Sequence, residues 1–198
     1  MTDRRATAAL IGGIALLERA VNYTLGSLHL VTPEALGYPT PCRDWDLRAL
    51  LRHLDDSFLA LHEAIDIGHV DLDVPGGDPA GDPVAGLRNR ACQLLGAWTA
   101  AGRDTVSIAG RPLTTALMTS TGAIEVAIHG WDVARACGGG HPIPASLAEE
   151  MLELSPLFVT GADRPIRFAV PVAVSPLAGP ADRLVAFLGR HPDWAAER

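Results

Sequence analysis

The sequence contains no lysine, since all sixteen basic residues are arginine. A lysine Schiff base, and with it pyridoxal phosphate chemistry, is therefore excluded, as is a phosphate-binding loop that depends on lysine. Cysteine is also scarce. The three cysteines, Cys42, Cys92 and Cys137, are odd in number, far apart and without a CxxC pair. This pattern argues against a disulfide framework and against a cysteine-rich zinc site.

Basic clusters and long apolar runs are missing as well. The net charge is −7 and no block of arginines stands out, so nucleic acid is not an expected partner. No apolar run approaches the ~20 residues of a membrane-spanning helix. A short apolar stretch near the N-terminus is followed by Glu18 and Arg19 without a secretory cleavage pattern. We therefore expect a cytoplasmic protein that does not bind membranes.

Apolar residues recur every three or four positions in four long segments, which is the helical period. These segments cover residues 5–29, about 45–65, 84–101 and 115–137. Asp44 is expected to cap the second helix, because its side chain can accept from an unpaired amide of the first turn. Four amphipathic helices with few strand signals predict an all-α four-helix bundle.

Shorter elements complete the prediction. We expect a short extended piece around residues 106–108 and further helices at residues 145–158 and 181–188. Prolines bar the segment before the last helix from regular structure. The expected organisation is a metal-binding helical bundle at residues 1–160 and a C-terminal extension at residues 161–198 that packs on it.

The fourth predicted helix contains the candidate site residues. At 100° per residue, Glu125, His129 and Asp132 fall within about 60° of one another on one face. Branched apolar residues flank this face, so the three side chains are expected to point into the bundle, where unpaired charge is costly. A glutamate and a histidine one turn apart can reach a single metal ion.

The third metal ligand is expected to be a histidine on another helix. His29, His53 and His62 are the candidates, and periodicity alone does not choose between His53 and His62. The alternative is that Glu125 and His129 form an ordinary exposed pair at positions i and i+4, which is the commoner arrangement on helices.

Two motifs carry a family resemblance. Residues Thr40-Pro41-Cys42-Arg43-Asp44-Trp45 lead to His53-Leu54, and Glu125 opens the stretch EVAIHGWD. Together they resemble the DinB-like superfamily, in the branch of the mycothiol-dependent maleylpyruvate isomerase-like proteins. The tail is similar to the small-domain version of that branch in three segments, Phe168-Ala-Val-Pro171-Val172, Asp182-Arg183-Leu184 and Phe187-Leu188-Gly189-Arg190.

The resemblance implies an up-down-down-up four-helix bundle with a metal triad formed by His53, Glu125 and His129. It also implies that Asp132 corresponds to an aspartate that helps catalysis. The isomerase has a larger C-terminal domain that supplies an arginine to the substrate. That arginine cannot be assigned to a particular residue here, and Arg164 and Arg167 are the nearby candidates.

The expected function is therefore a metal-dependent enzyme that uses a mycothiol-like thiol to attack or isomerise an electrophilic small molecule. Zinc is the first choice of metal, and nickel or another first-row ion also suits two nitrogens and a carboxylate. The expected partners are a small electrophile, a small thiol and a second copy of the chain in a homodimer. Cys42 is expected to pack or cap rather than to act as a nucleophile.

Two alternatives remain open. The bundle could be a metal-dependent hydrolase, lyase or isomerase that uses no thiol. It could also be a metal-binding protein without catalytic activity.

Overall fold

The computed structural model describes residues 12–70, 81–98, 104–165 and 167–196. Its α-helices are α1 (Gly13–Ser27), α2 (Leu47–Asp66), α3 (Pro83–Trp98), α4 (Thr115–Ala136), α5 (Ala145–Phe158) and α6 (Pro180–Phe187). Short 3₁₀ segments occur at Leu28–Leu30, Pro33–Gly37 and Gly161–Asp163. The predicted all-α class is confirmed. The parts of the predicted first and third helices at residues 5–11 and 99–101 lie outside the described residues.

Helix α4 is the central element, and most of its side chains are buried. It approaches α1 closely at Gly130, where a Cβ atom would lie 2.4 Å from Thr24 Oγ1. The Thr24 hydroxyl donates to the carbonyl oxygen of Val126 at 2.8 Å. Because only a glycine fits at this crossing, the rotation of α4 about its axis is fixed, and with it the direction in which Glu125 and His129 point.

The start of α2 differs from the prediction. Asp46, not Asp44, caps the helix, and its side chain accepts from Ala49 N at 2.8 Å. Asp44 has a φ of 69°, a left-handed conformation in which its backbone cannot lead directly into a helix. Pro39 and Asp46 pair in an antiparallel bridge, which closes the loop between them. The expectation that Asp44 is the cap is therefore wrong by two residues.

A small sheet lies beside the bundle. Its strands are β1 (His69–Val70), β2 (Thr105–Ile108) and β3 (Arg111–Thr114). Strand β1 is parallel to β2, and β2 is antiparallel to β3. The extended piece predicted around residues 106–108 is confirmed, but β1 and β3 were not predicted. They are only two and four residues long, too short for an alternating pattern to show.

The C-terminal residues pack on the bundle. Leu184, Val185 and Leu188 belong to the same hydrophobic core as the long helices. On the surface, Arg135 Nε of α4 donates to the carbonyl oxygen of Trp194 at 2.9 Å. The boundary between a bundle at residues 1–160 and an extension at residues 161–198 stays a prediction. None of the helices in the described part of the chain is both long and apolar enough to span a membrane.

Candidate metal centre

Helices α2 and α4 bring His53, Glu125 and His129 together. Glu125 Oε1 lies 2.6 Å from His53 Nε2 and 3.2 Å from His129 Nε2. The three donor atoms all lie within 4.8 Å of one another, as an ion shared between them requires. Of the candidate third ligands, neither His29 nor His62 belongs to a metal-ligand group within the described residues. His29 instead lies 3.2 Å from a nitrogen of Arg88.

The cluster has an open side and a closed side. The side chains of His53 and Glu125 are 35% and 29% exposed, whereas that of His129 is only 6% exposed. The cluster is therefore partly open to solvent on the side of His53 and Glu125 and closed on the side of His129.

The electrostatics of the cluster favour a cation. Burial opposes the ionisation of Glu125, but His129 and His53 outweigh it and hold the pKa of Glu125 well below its usual range. Burial likewise disfavours a charged His129, but Glu125 and Asp132 outweigh it and raise the pKa of His129 to about 9. Two carboxylates thus act on one imidazole. Two imidazole nitrogens and a carboxylate oxygen are also donors that zinc and other first-row ions accept, so these residues fit such an ion.

Asp132 lies behind His129, away from the open side. Its side chain is 0% exposed, and His129 Nδ1 donates to its Oδ2 at 2.9 Å. In the neutral ring, a proton held on Nδ1 leaves the lone pair on Nε2, the atom that faces Glu125. Asp132 therefore selects the tautomer of His129 that can bind a metal.

Arg190 is the residue that the sequence reasoning missed. Its Nη2 and Nε atoms lie 3.1 Å and 3.5 Å from the two oxygens of Asp132, and Nη1 donates to Leu188 O at 2.9 Å. Burial opposes the ionisation of Asp132, but Arg190 and then His129 outweigh it and lower the pKa of Asp132. The side chain of Arg190 is itself only 8% exposed.

Gly189 explains how Arg190 reaches the bundle. It has a φ of 82°, and a Cβ atom there would lie 2.7 Å from Ala169 O, so the chain turns back only at a glycine. The one sequence signal for Arg190 was the segment Phe187–Arg190, which overlaps the end of the helix predicted at residues 181–188.

The two arginines considered from the sequence lie elsewhere. Arg164 donates to backbone carbonyl groups, including Phe187 O at 2.7 Å, and its guanidinium lies over the Phe187 ring. Arg167 is 77% exposed and lies 3.7 Å from Asp163. In the described part of the chain, neither contacts the cluster of His53, Glu125 and His129.

Cys42 lies at the edge of the site. Its sulfur belongs to a second group of donor atoms, with His129 and Asp132, that lie within 4.8 Å of one another. Burial raises the pKa of the Cys42 thiol to about 11, so the thiol stays protonated near neutral pH. A protonated thiol is a poor nucleophile, which agrees with the packing role expected for Cys42.

The fold and the site together define a helical-bundle protein with a histidine–glutamate–histidine cluster shared by two helices. The family model of the mycothiol maleylpyruvate isomerase N-terminal domain matches residues 17–134, more than half of the chain, and the chain belongs to this family. The matched residues include all three donors and Asp132, but not Arg190. Among curated proteins, none matches the chain.

Proposed function

We propose that this protein is a cytoplasmic, metal-dependent enzyme that uses a mycothiol-like thiol to attack or isomerise an electrophilic small molecule. The observation that carries the proposal is the position of Glu125 Oε1, which faces both His53 Nε2 at 2.6 Å and His129 Nε2 at 3.2 Å. Membership of a family named for a mycothiol-dependent isomerase supports the choice of thiol.

The number of donors favours a catalytic site over a structural one. Three protein ligands leave coordination positions open to a substrate, whereas structural zinc sites usually have four. The partial exposure of His53 and Glu125 supports this choice, because it leaves two of the three donors open to solvent. Zinc is our first choice, and nickel or another first-row ion also suits this donor set.

When bound, a divalent ion supplies positive charge that favours the thiolate form of a coordinated thiol. The residues of the chain have separate tasks around it. His53, Glu125 and His129 hold the ion, and Asp132 keeps the proton of His129 on Nδ1. Arg190 keeps Asp132 ionised and fixed. The full burial of Asp132 favours this positioning role over direct proton exchange with a substrate.

The test is conjugation of monochlorobimane, which becomes fluorescent on reaction with a thiol, together with isomerisation of maleylpyruvate. Zinc-loaded protein with mycothiol is expected to accelerate at least one of these reactions. Glu125→Gln removes the charge of the central donor and is expected to reduce the rate to background. The matched control, Glu149→Gln, changes an exposed glutamate of α5 and is expected to keep the wild-type rate.

Two results would contradict the proposal. Turnover of an electrophile or an ester at the same rate without thiol would assign the site to a hydrolase, lyase or thiol-independent isomerase. Full zinc occupancy without turnover of either substrate would favour a metal-binding protein without catalytic activity.

A further inference from the structure

We propose that Trp45 is the positioning residue of His53. Its indole holds the His53 ring in the orientation in which Nε2 faces the metal site, as Asp132 does for His129 through a hydrogen bond. The inference rests on the proposed metal centre. It gives the loop before α2, which carries Trp45, a role in metal binding although the loop supplies none of the three donors.

The contact between the rings is direct. The centroids of the Trp45 and His53 rings lie 4.7 Å apart with an interplanar angle of 51°, and those of Trp45 and His129 lie 6.0 Å apart. The two histidine rings meet edge to face at 4.9 Å. The indole therefore lies against both imidazoles, within the range of separations at which aromatic rings attract one another.

His53 needs such a contact more than His129 does. A histidine that binds a metal usually donates its other ring N–H to a carboxylate or a carbonyl oxygen, which fixes the ring. His129 has this partner in Asp132. In the described part of the chain, the hydrogen bond of the His53 ring is the one that Nε2 makes to Glu125. The side chain of His53 is 35% exposed, and its packing against Trp45 limits the rotation of its ring, which is what the variants below test.

Trp45 is itself held in place by the loop that carries it. The Thr40 hydroxyl, which is buried, lies 3.0 Å from the carbonyl oxygens of both Cys42 and Trp45. Trp45 N donates to Cys42 O at 3.2 Å, and Asp46, the next residue, caps α2. These bonds fix the backbone of Trp45 one residue before the cap of α2, the helix that bears His53.

The test is a Co²⁺ titration of the metal-free full-length protein, followed by visible absorption and tryptophan fluorescence. Trp45→Leu is expected to weaken Co²⁺ binding about two- to tenfold, and Trp45→Phe by less than about twofold, because phenylalanine keeps an aromatic ring at the contact. Co²⁺ is expected to quench tryptophan emission in the wild type, and this quenching is expected to be largely lost in Trp45→Phe. Trp194→Phe is the control and is expected to match the wild type in affinity and quenching.

Each outcome decides the matter. Equal Co²⁺ affinity of Trp45→Leu and the wild type would overturn the inference but leave the metal centre intact. An equal loss in Trp45→Phe and Trp45→Leu would also overturn it, since an aromatic ring would then not be what matters. No Co²⁺ binding by the wild type would overturn the inference and the proposed function together. If thermal unfolding shows that Trp45→Leu does not fold, Trp45→Met replaces it in the same comparison.

Discussion

Replacing Asp132 by asparagine removes a buried negative charge with almost no change in shape. The charge lies between His129, at 2.9 Å, and Arg190, at 3.1 Å, and the aspartate side chain is 0% exposed. Loss of one partner of a buried ion pair costs about 3–5 kcal/mol, because the remaining charge is left unpaired. Loss of the partner that orients a ligating histidine weakens metal binding about 10–100-fold. We expect both effects in Asp132→Asn.

The double variant Asp132→Asn/Arg190→Leu separates the two effects. It leaves no unpaired charge, so most of the lost free energy of unfolding is expected to return. Zinc affinity is expected to stay low, since His129 Nδ1 still lacks its carboxylate. The measurements are urea unfolding of the metal-free protein and competitive zinc titration.

Asp55→Asn is the matched control, because Asp55 forms a more exposed pair with Arg90 at 2.7 Å. It is expected to cost less than about 1 kcal/mol and to leave zinc affinity unchanged. The reasoning is refuted if Asp132→Asn is as stable and binds zinc as tightly as the wild type. It is also refuted if the double variant recovers zinc affinity along with stability.

Three further predictions concern the metal and the pH. The protein purified without chelator is expected to contain about one divalent ion per chain by elemental analysis, a value typical of a single mononuclear site. His53→Ala is expected to contain no metal and His62→Ala the wild-type amount. The reverse result would identify His62 as the ligand. Chelation is expected to leave most of the helical circular dichroism signal, because the core of leucines around Phe58 does not depend on the metal; loss of most of the signal would make the site structural. The metal-free protein is expected to lose up to about 3 kcal/mol of its free energy of unfolding between pH 6.5 and 9.5, because the pKa of His129 is raised to about 9 in the folded state. The stabilisation from protonated His129 is complete below pH 6.5 and is lost as the pH rises through 9. Urea unfolding at the two pH values tests this, and His129→Gln, which has no such proton, is expected to lack the decline.

The long helices could be predicted from the sequence because their signal is local. A helix was predicted at residues 145–158, where the structure has α5, and periodicity predicted that Glu125, His129 and Asp132 share one face of the helix that is α4. The cap of α2 could not be predicted in the same way. The backbone of Asp44 is set by the closure of the loop between Pro39 and Asp46, a constraint that its own residue type does not reveal.

The contacts that complete the site are long-range, and the sequence gives little indication of them. Arg190 and Asp132 are 58 positions apart and meet only because the chain turns at Gly189. His53 and His62 lie on the same helix, and periodicity could not choose between them. The choice depends on how α2 packs against α4, which places His53 rather than His62 beside Glu125.

The most direct test of the central claim is anomalous X-ray scattering from crystals grown with zinc. The account predicts one zinc peak per chain, about 2.0–2.2 Å from His53 Nε2, a Glu125 carboxylate oxygen and His129 Nε2. A peak bound instead by Cys42, His129 and Asp132, the other donor group of the described residues, would contradict it. A crystal structure with zinc present in solution and no peak at His53, Glu125 and His129 would contradict it equally.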